Sequence, residues 1–164
     1  MKGIYPLDLF ANIRTSTLIQ VAMSNRFILF LAVISLIASC KNEKEEIEIA
    51  MKEYDRLILN VDADSIANTF LINGEMGEVG KTKVIGRDSI QALLKTFSHF
   101  KVLSNQSSTT FIEIKKDSAK QEGTFRQKVI VNKDTLRAEG EFFATWIKQR
   151  NGKWLLKRMM TKSK

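Results

Sequence analysis

The sequence predicts an α+β domain in which helices come first and an antiparallel sheet follows. Apolar residues recur at helical spacing up to about residue 97, and from Ser107 onward the period of the pattern changes to two. Asn151-Gly152, between two alternating runs, is the strongest short hairpin signal. Because the apolar helix faces need a surface to cover, we expect the helices to pack on one face of the sheet.

Three helices are expected before the sheet. The first has an apolar stripe at helical spacing, made of Ile47, Ala50, Met51, Tyr54, Leu57, Ile58 and Val61. Asp62 or Asp64 can cap a short second helix, and Asp88 and Ser89 open a third. The stretch NGEMGEVGKTKVIG between the second and third helices is rich in glycine and short of apolar residues, which predicts a loop that can include a short strand.

Four β-rich runs follow the helices. They read TTFIEIK, GTFRQKVIVN, TLRAEGEFFATWIK and KWLLKRMMT, and short polar turns separate them. No proline occurs after Pro6, so each strand can be continuous. Short connections between successive strands predict an antiparallel meander.

The N-terminal segment is typical of an exported protein. FILFLAVISLIAS (residues 27–39) is an uncharged apolar run that Arg26 precedes, and it is shorter than the roughly 20 residues that span a membrane. This pattern predicts a signal peptide over residues 1–39. The stretch MSNRFILF makes Met23 a candidate for the true start codon.

Cys40, the only cysteine, follows the apolar run directly, and a lone cysteine excludes an internal disulfide. Ile37-Ala38-Ser39-Cys40 resembles the bacterial lipobox, which implies that Cys40 becomes a lipidated N-terminus. The alternative is an uncleaved anchor with a free thiol. Acyl chains on Cys40 would bind the membrane, and residues 40–46 would form a charged tether before a domain over 47–164. We therefore expect a protein of the bacterial cell envelope, at the outer membrane or on the periplasmic side.

Charge and motifs argue against several other functions. The net charge is +8, with basic residues concentrated near the C-terminus, but no aromatic platforms alternate with them as in an RNA-binding protein. A solvated face near an anionic membrane is the simpler interpretation. GEMGEVGKT has Glu75 where a phosphate loop needs glycine. His99 is the only histidine, so a metal site or a serine triad lacks candidate residues. We expect neither a metal nor a cofactor.

Four motifs follow one another over about residues 47–161: DADSIANTF, NGE, GRDSI and GEFFATWIKQRNGKWLLKRM. Their order and spacing resemble those of the nuclear transport factor 2-like superfamily in its SnoaL-like branch. It implies a cone-shaped fold, in which three N-terminal helices pack on a strongly curved antiparallel meander sheet and leave a pocket. It also implies that a homodimer could form through the open face of the sheet.

The resemblance implies site residues as well. Tyr54 matches the helix tyrosine that donates a hydrogen bond to the substrate oxygen in ketosteroid isomerases. Glu78 matches the general base when counted from Phe70, whereas counting back from GRDSI gives Gly77. The second oxyanion donor aligns with Ala144, which cannot donate. The expected ligand pocket comprises Tyr54, Phe70, Phe125, Phe142 and Trp146, and ordinary core packing is the alternative for these strand aromatics.

Three functions follow from these observations. We prefer a lipid-anchored protein that binds a small apolar or amphipathic molecule outside the cytoplasm, because the catalytic set lacks one member. The alternatives are an isomerase, cyclase or dehydratase that uses Tyr54 and Glu78, and a dimeric interaction scaffold.

Overall fold

A computed structural model describes residues 43–164, and Glu43–Lys164 form one compact unit. The predicted signal peptide, Cys40 and the first residues of the tether lie outside the described residues. The helices are α1 (residues 43–60 as described), α2 (Ala63–Asn68) and α3 (Arg87–Lys95). The strands are β1 (Phe70–Glu78), β2 (Val84–Ile85), β3 (Lys101–Lys115), β4 (Ser118–Val131), β5 (Asp134–Lys148) and β6 (Trp154–Ser163). Among these residues, no helix is long and apolar enough to cross a membrane.

The three helices form where the apolar spacing predicts them. The buried side of α1 carries Ile47, Met51, Tyr54 and Leu57, which follow one another at helical spacing. The Asp62 carboxylate caps α2 by accepting a hydrogen bond from the Ser65 backbone N–H over 3.0 Å. Helix α3 begins just before the predicted Asp88, after Gly86, whose φ is 95°.

The sheet has six strands in the order β2-β1-β6-β5-β4-β3. Strands β3 to β6 form the predicted antiparallel meander. Strand β1 pairs parallel with β6, so the complete sheet is mixed. The α+β prediction, with three helices on a curved sheet, is confirmed.

The stretch NGEMGEVGKTKVIG contains more strand than the loop with a short strand that the sequence predicts, because residues 73–78 belong to β1. Long-range pairing of β1 with β6 supplies the backbone hydrogen bonds that the local sequence does not signal. Gly74 is needed there for close packing, since an added Cβ would lie 2.9 Å from the Phe70 Cβ.

Bulges and two glycines allow the sheet to curve. The register of β3 against β4 shifts between Val102 and Ser104 and again between Thr109 and Phe111. A Cβ on Gly123 would lie 2.2 Å from the Ser108 carbonyl oxygen, and one on Gly140 would lie 2.1 Å from that of Lys162. The concave face and the helices enclose a core whose fully buried members include Ile47, Ile66, Phe70, Ile90, Phe142, Trp146 and Leu156. The strand pairings and the core described here belong to the compact unit Glu43–Lys164.

Candidate functional site

An apolar pocket lies between the ends of α1 and α2, the segment after α3, and strands β3 to β5. Its volume is about 300 Å³. Gln127 is the one polar residue in its wall. The apolar lining residues are Ile58, Val61, Ile66, Phe97, Phe100, Val102, Val129, Val131, Leu136 and Ala138. Leu136 and Phe97 are 55% and 37% exposed, so the pocket opens to solvent at this rim.

A polar groove of about 700 Å³ lies between α1 and strands β3 and β4. It contains three basic side chains, Lys52, Arg56 and Arg126, and one acidic side chain, Asp55. The Arg56 guanidinium is held by Glu53 through two hydrogen bonds of 2.6 and 2.7 Å. The other lining residues are Leu59, Asn105, Gln106, Ser107, Ser108, Thr124 and Phe125.

Asp55 is the half-buried carboxyl group of this groove. Asn105 Nδ2 donates a hydrogen bond to Asp55 Oδ1 over 2.8 Å, and the Ser107 hydroxyl donates to Oδ2. Burial raises the pKa of Asp55, and the hydrogen bonds from Ser107 and Asn105 partly offset that rise. A carboxyl group fixed in this way is oriented by strand β3 although it belongs to helix α1.

Further along the concave face, the buried side-chain amide of Gln121 accepts a hydrogen bond from the N–H of the core residue Trp146. Trp146 Nε1 donates to Gln121 Oε1 over 2.9 Å, and Gln121 Nε2 donates to Thr109 Oγ1 over 2.9 Å. Gln121 is fully buried, so loss of any one partner would leave a desolvated polar atom. This network satisfies the indole N–H and so allows Trp146 to be buried in the core.

Tyr54 lies in the core, in edge contact with Phe70 at 6.3 Å between ring centroids. Burial raises the pKa of Tyr54, and the neighbouring charge of Asp55 raises it further. The phenol therefore stays neutral at physiological pH. Tyr54 lines neither the apolar pocket nor the polar groove.

The other predicted site residues fall into three places. Phe70, Phe142 and Trp146 join Tyr54 in the same core cluster. Phe125 is half-buried and lines the polar groove. Glu78 lies at the end of β1, where Lys81 Nζ donates to its carboxylate over 2.6 Å and lowers its pKa. The structure therefore brings four of these residues together, with Glu78 outside their cluster.

His99 lies in the turn that follows α3. The His99 ring is exposed and contacts Phe100 edge-on at 4.4 Å between centroids. Within residues 43–164, no group of three or more His, Cys, Asp or Glu side chains is arranged to hold a metal ion.

Sequence reasoning did not single out Asp55, Asn105, Ser107 or Gln127. The sequence pattern that indicates this site is SNQSSTT (residues 104–110), a run of polar residues within strand β3. Polar side chains that alternate onto the covered face of a sheet need partners, and one partner is the carboxylate next to Tyr54.

No protein-family model matches the sequence, and neither does any of the curated proteins. Solved structures do match the fold. An NTF2-like protein with a cystatin-like fold from Novosphingobium aromaticivorans superimposes with a TM-score of 0.70 at 17% identity, over 81% of this chain and 89% of that one. A provisionally assigned scytalone dehydratase from the same species gives 0.67 at 20% identity, over 74% and 84%.

A ketosteroid isomerase-like protein from Erwinia carotovora gives a TM-score of 0.64 at 16% identity, over 71% of this chain and 92% of that one. Identities at this level establish the fold and leave the activity open. Together with the helices and the curved sheet described above, they show that this chain has the nuclear transport factor 2-like fold.

Proposed function

We propose that the domain binds a small apolar or amphipathic molecule in the apolar pocket. The observation that carries this proposal is the composition of the wall, in which Gln127 alone is polar. A volume of about 300 Å³ is at the lower end of the range for small-molecule sites. Burying apolar ligand surface contributes roughly 25 cal/mol per Å², so a pocket of this kind can supply a useful binding free energy.

Binding has more support than catalysis. General acid–base chemistry needs a titratable group within hydrogen-bond reach of the substrate, and the apolar pocket has none in its wall. Asp55 is the one carboxyl group in the lining of the polar groove, and it already accepts hydrogen bonds from Asn105 and Ser107. The alternative of an isomerase, cyclase or dehydratase would use Tyr54 and Glu78, of which the first is in the core and the second is paired with Lys81. A homodimer through the open sheet face, and the scaffold function it would serve, stay predictions.

The proposal includes attachment to the bacterial cell envelope through acyl chains on Cys40. Its support is the uncharged run of residues 27–39 and the lipobox-like sequence that ends at Cys40. Two or more acyl chains give stable membrane binding where one does not. The domain would then bind its ligand outside the cytoplasm.

Titration with the fluorescent apolar probe N-phenylnaphthylamine tests the pocket in residues 41–164. Ala138→Trp should fill the pocket and weaken probe binding at least about tenfold. Ala92→Trp places the same side chain on the exposed side of α3 and is the matched control. Saturable binding by the wild type and the control, with loss in the Ala138 variant, is the expected result. Equal binding by all three proteins would show that the probe binds elsewhere.

A further inference from the structure

The apolar pocket and the polar groove are neighbours on one concave face. On β4, Phe125 lines the groove and Gln127 lines the pocket. Residues two apart on a strand point to the same face and lie about 7 Å apart. Gln127 is also paired in register with Asn105 of β3, which lines the groove. The polar groove therefore begins where the apolar pocket ends.

Helix α1 also contributes residues to both the apolar pocket and the polar groove. Ile58 lines the pocket, whereas Asp55 and Leu59, one helical turn apart, line the groove. A molecule whose apolar body occupies the pocket would thus present its end to Gln127, Asn105 and Asp55. Carboxamides can both donate and accept hydrogen bonds, and a carboxylate has about four acceptor positions. Asn105 and Ser107 occupy two of those on Asp55, so it can still accept from a ligand.

We infer that the two cavities form one amphipathic site, which takes a neutral molecule with an apolar body and a terminal hydroxyl group. The hydroxyl would donate to Asp55 and accept from the carboxamides of Asn105 or Gln127. This inference rests on the proposed function, because the apolar body must first bind in the apolar pocket.

The charge of Asp55 makes a carboxylic acid an unfavourable terminal group for the ligand. A ligand carboxylate beside Asp55 would place two like charges in a half-buried site, which is unfavourable for both. The three basic side chains offer little compensation. Glu53 already holds Arg56. Lys52 is exposed and the side chain of Arg126 is 84% exposed, so solvent and salt screen both charges.

Desolvation decides against an amine. An alkylammonium ion is a strongly hydrated charge with three donors. Asp55 is the one carboxylate in the lining of the groove, and Asn105 and Ser107 already donate to both of its oxygens. A neutral hydroxyl avoids both penalties and uses the acceptor that the fold has oriented.

Three unbranched probes with the same number of carbon atoms test this inference: decanol, decanoate and decylamine. They are titrated calorimetrically at pH 8 against residues 41–164, where decanoate is an anion and decylamine a cation. We expect decanol to bind at least about tenfold more tightly than either ion. Equal affinities for decanol and decanoate would overturn the inference.

Two variants test whether Asp55 causes the preference for decanol over decanoate. Asp55→Asn removes the charge, keeps one acceptor oxygen for Asn105 and can donate from its new NH2 group to the Ser107 hydroxyl oxygen. The preference for decanol over decanoate should then fall to within about threefold. Asp117→Asn, on the exposed turn between β3 and β4, is the matched control and should keep the wild-type preference. An unchanged preference in the Asp55 variant would overturn the inference.

Gln127→Leu gives a second readout that does not depend on the folding of the Asp55 variant. It should weaken decanol severalfold and leave N-phenylnaphthylamine binding intact, because the pocket becomes fully apolar. Probe binding without any preference among terminal groups would refute this inference alone. No binding of the probe or of any alkyl compound would refute the proposed function with it.

Discussion

Trp154 Nε1 donates a hydrogen bond to Glu46 Oε2 over 3.0 Å, which joins the start of β6 to α1. Lys148 Nζ lies 3.0 Å from Glu43 Oε1 and 3.3 Å from Glu46 Oε2, and it also lies 5.4 Å from the centre of the Trp154 ring. Trp154 is only 6% exposed. Its ring therefore packs in the core while its N–H reaches a carboxylate at the surface.

Trp154→Ala should lower the free energy of unfolding by roughly 3–5 kcal/mol, because it removes a buried ring and leaves a cavity. Trp154→Phe keeps one six-membered ring and loses the N–H that donates to the charged Glu46, for an expected loss of roughly 1.5–3 kcal/mol. Urea denaturation of the three proteins measures both values. A loss below about 0.5 kcal/mol in the alanine variant would place Trp154 outside the core.

Glu75 gives a prediction about pH. Arg158 Nε and Lys83 Nζ lie 2.8 and 2.9 Å from its Oε2, and their hydrogen bonds lower the pKa of Glu75 to about 2. Its pKa is lower in the folded than in the unfolded protein, so its contribution is complete above about pH 5 and is lost as the pH falls toward about 2. Glu75→Gln should cost about 1 to 2 kcal/mol at pH 7, after allowance for solvent screening.

The measurement is the free energy of unfolding of both proteins from pH 7 down to pH 2. The wild-type and Glu75→Gln curves should converge as the pH falls, since both side chains are then neutral. Glu122→Gln, an exposed carboxylate on β4, serves as the control. A constant difference between the two curves at all pH values would show that Glu75 acts through packing and not through its charge.

The helices and the meander could be predicted from the sequence because their signals are local. The stripe from Ile47 to Leu57 fixes the buried side of α1, and Asp62 does cap α2. Asn151 and Gly152 do form the turn between β5 and β6, where Gly152 has a φ of 82°. Each of these features depends on residues within a few positions of one another.

Strand β1 and the polar groove depend on residues that are far apart in the chain. Met76 pairs with Met159 of β6. The glycine-rich sequence around Met76 contains no local pattern that predicts this pairing. Asp55 meets Asn105 and Ser107 across 50 and 52 positions. Its neighbour Tyr54 points into the core instead, because adjacent residues on a helix face different directions.

Cys40→Ala should leave the protein poorly processed or poorly attached, because no acyl chain can be added. Fractionation of bacterial cells followed by a salt wash measures attachment, and the N-terminal mass measures cleavage. Cleaved Cys40→Ala protein that stays in the membrane fraction would contradict lipidation at this residue. Ser39→Ala keeps a small residue before the cysteine and is the control that should behave like the wild type.

Tyr54→Phe distinguishes a core tyrosine from a catalytic one. The ring packs edge-on against Phe70 and lines neither cavity, so the variant should keep its fold and lose roughly 1 kcal/mol or less of stability. Binding of N-phenylnaphthylamine and decanol should be unchanged.

A tyrosine that acts as an oxyanion donor would behave differently, because its loss lowers turnover about 100-fold or more while substrate binding survives. The measurement is proton exchange next to the carbonyl in a panel of enolisable ketones, with Glu78→Gln assayed beside it. We expect no exchange above the solvent background in any of the three proteins. A wild-type rate that collapses in both variants would make Tyr54 and Glu78 a catalytic pair and would overturn binding as the principal function.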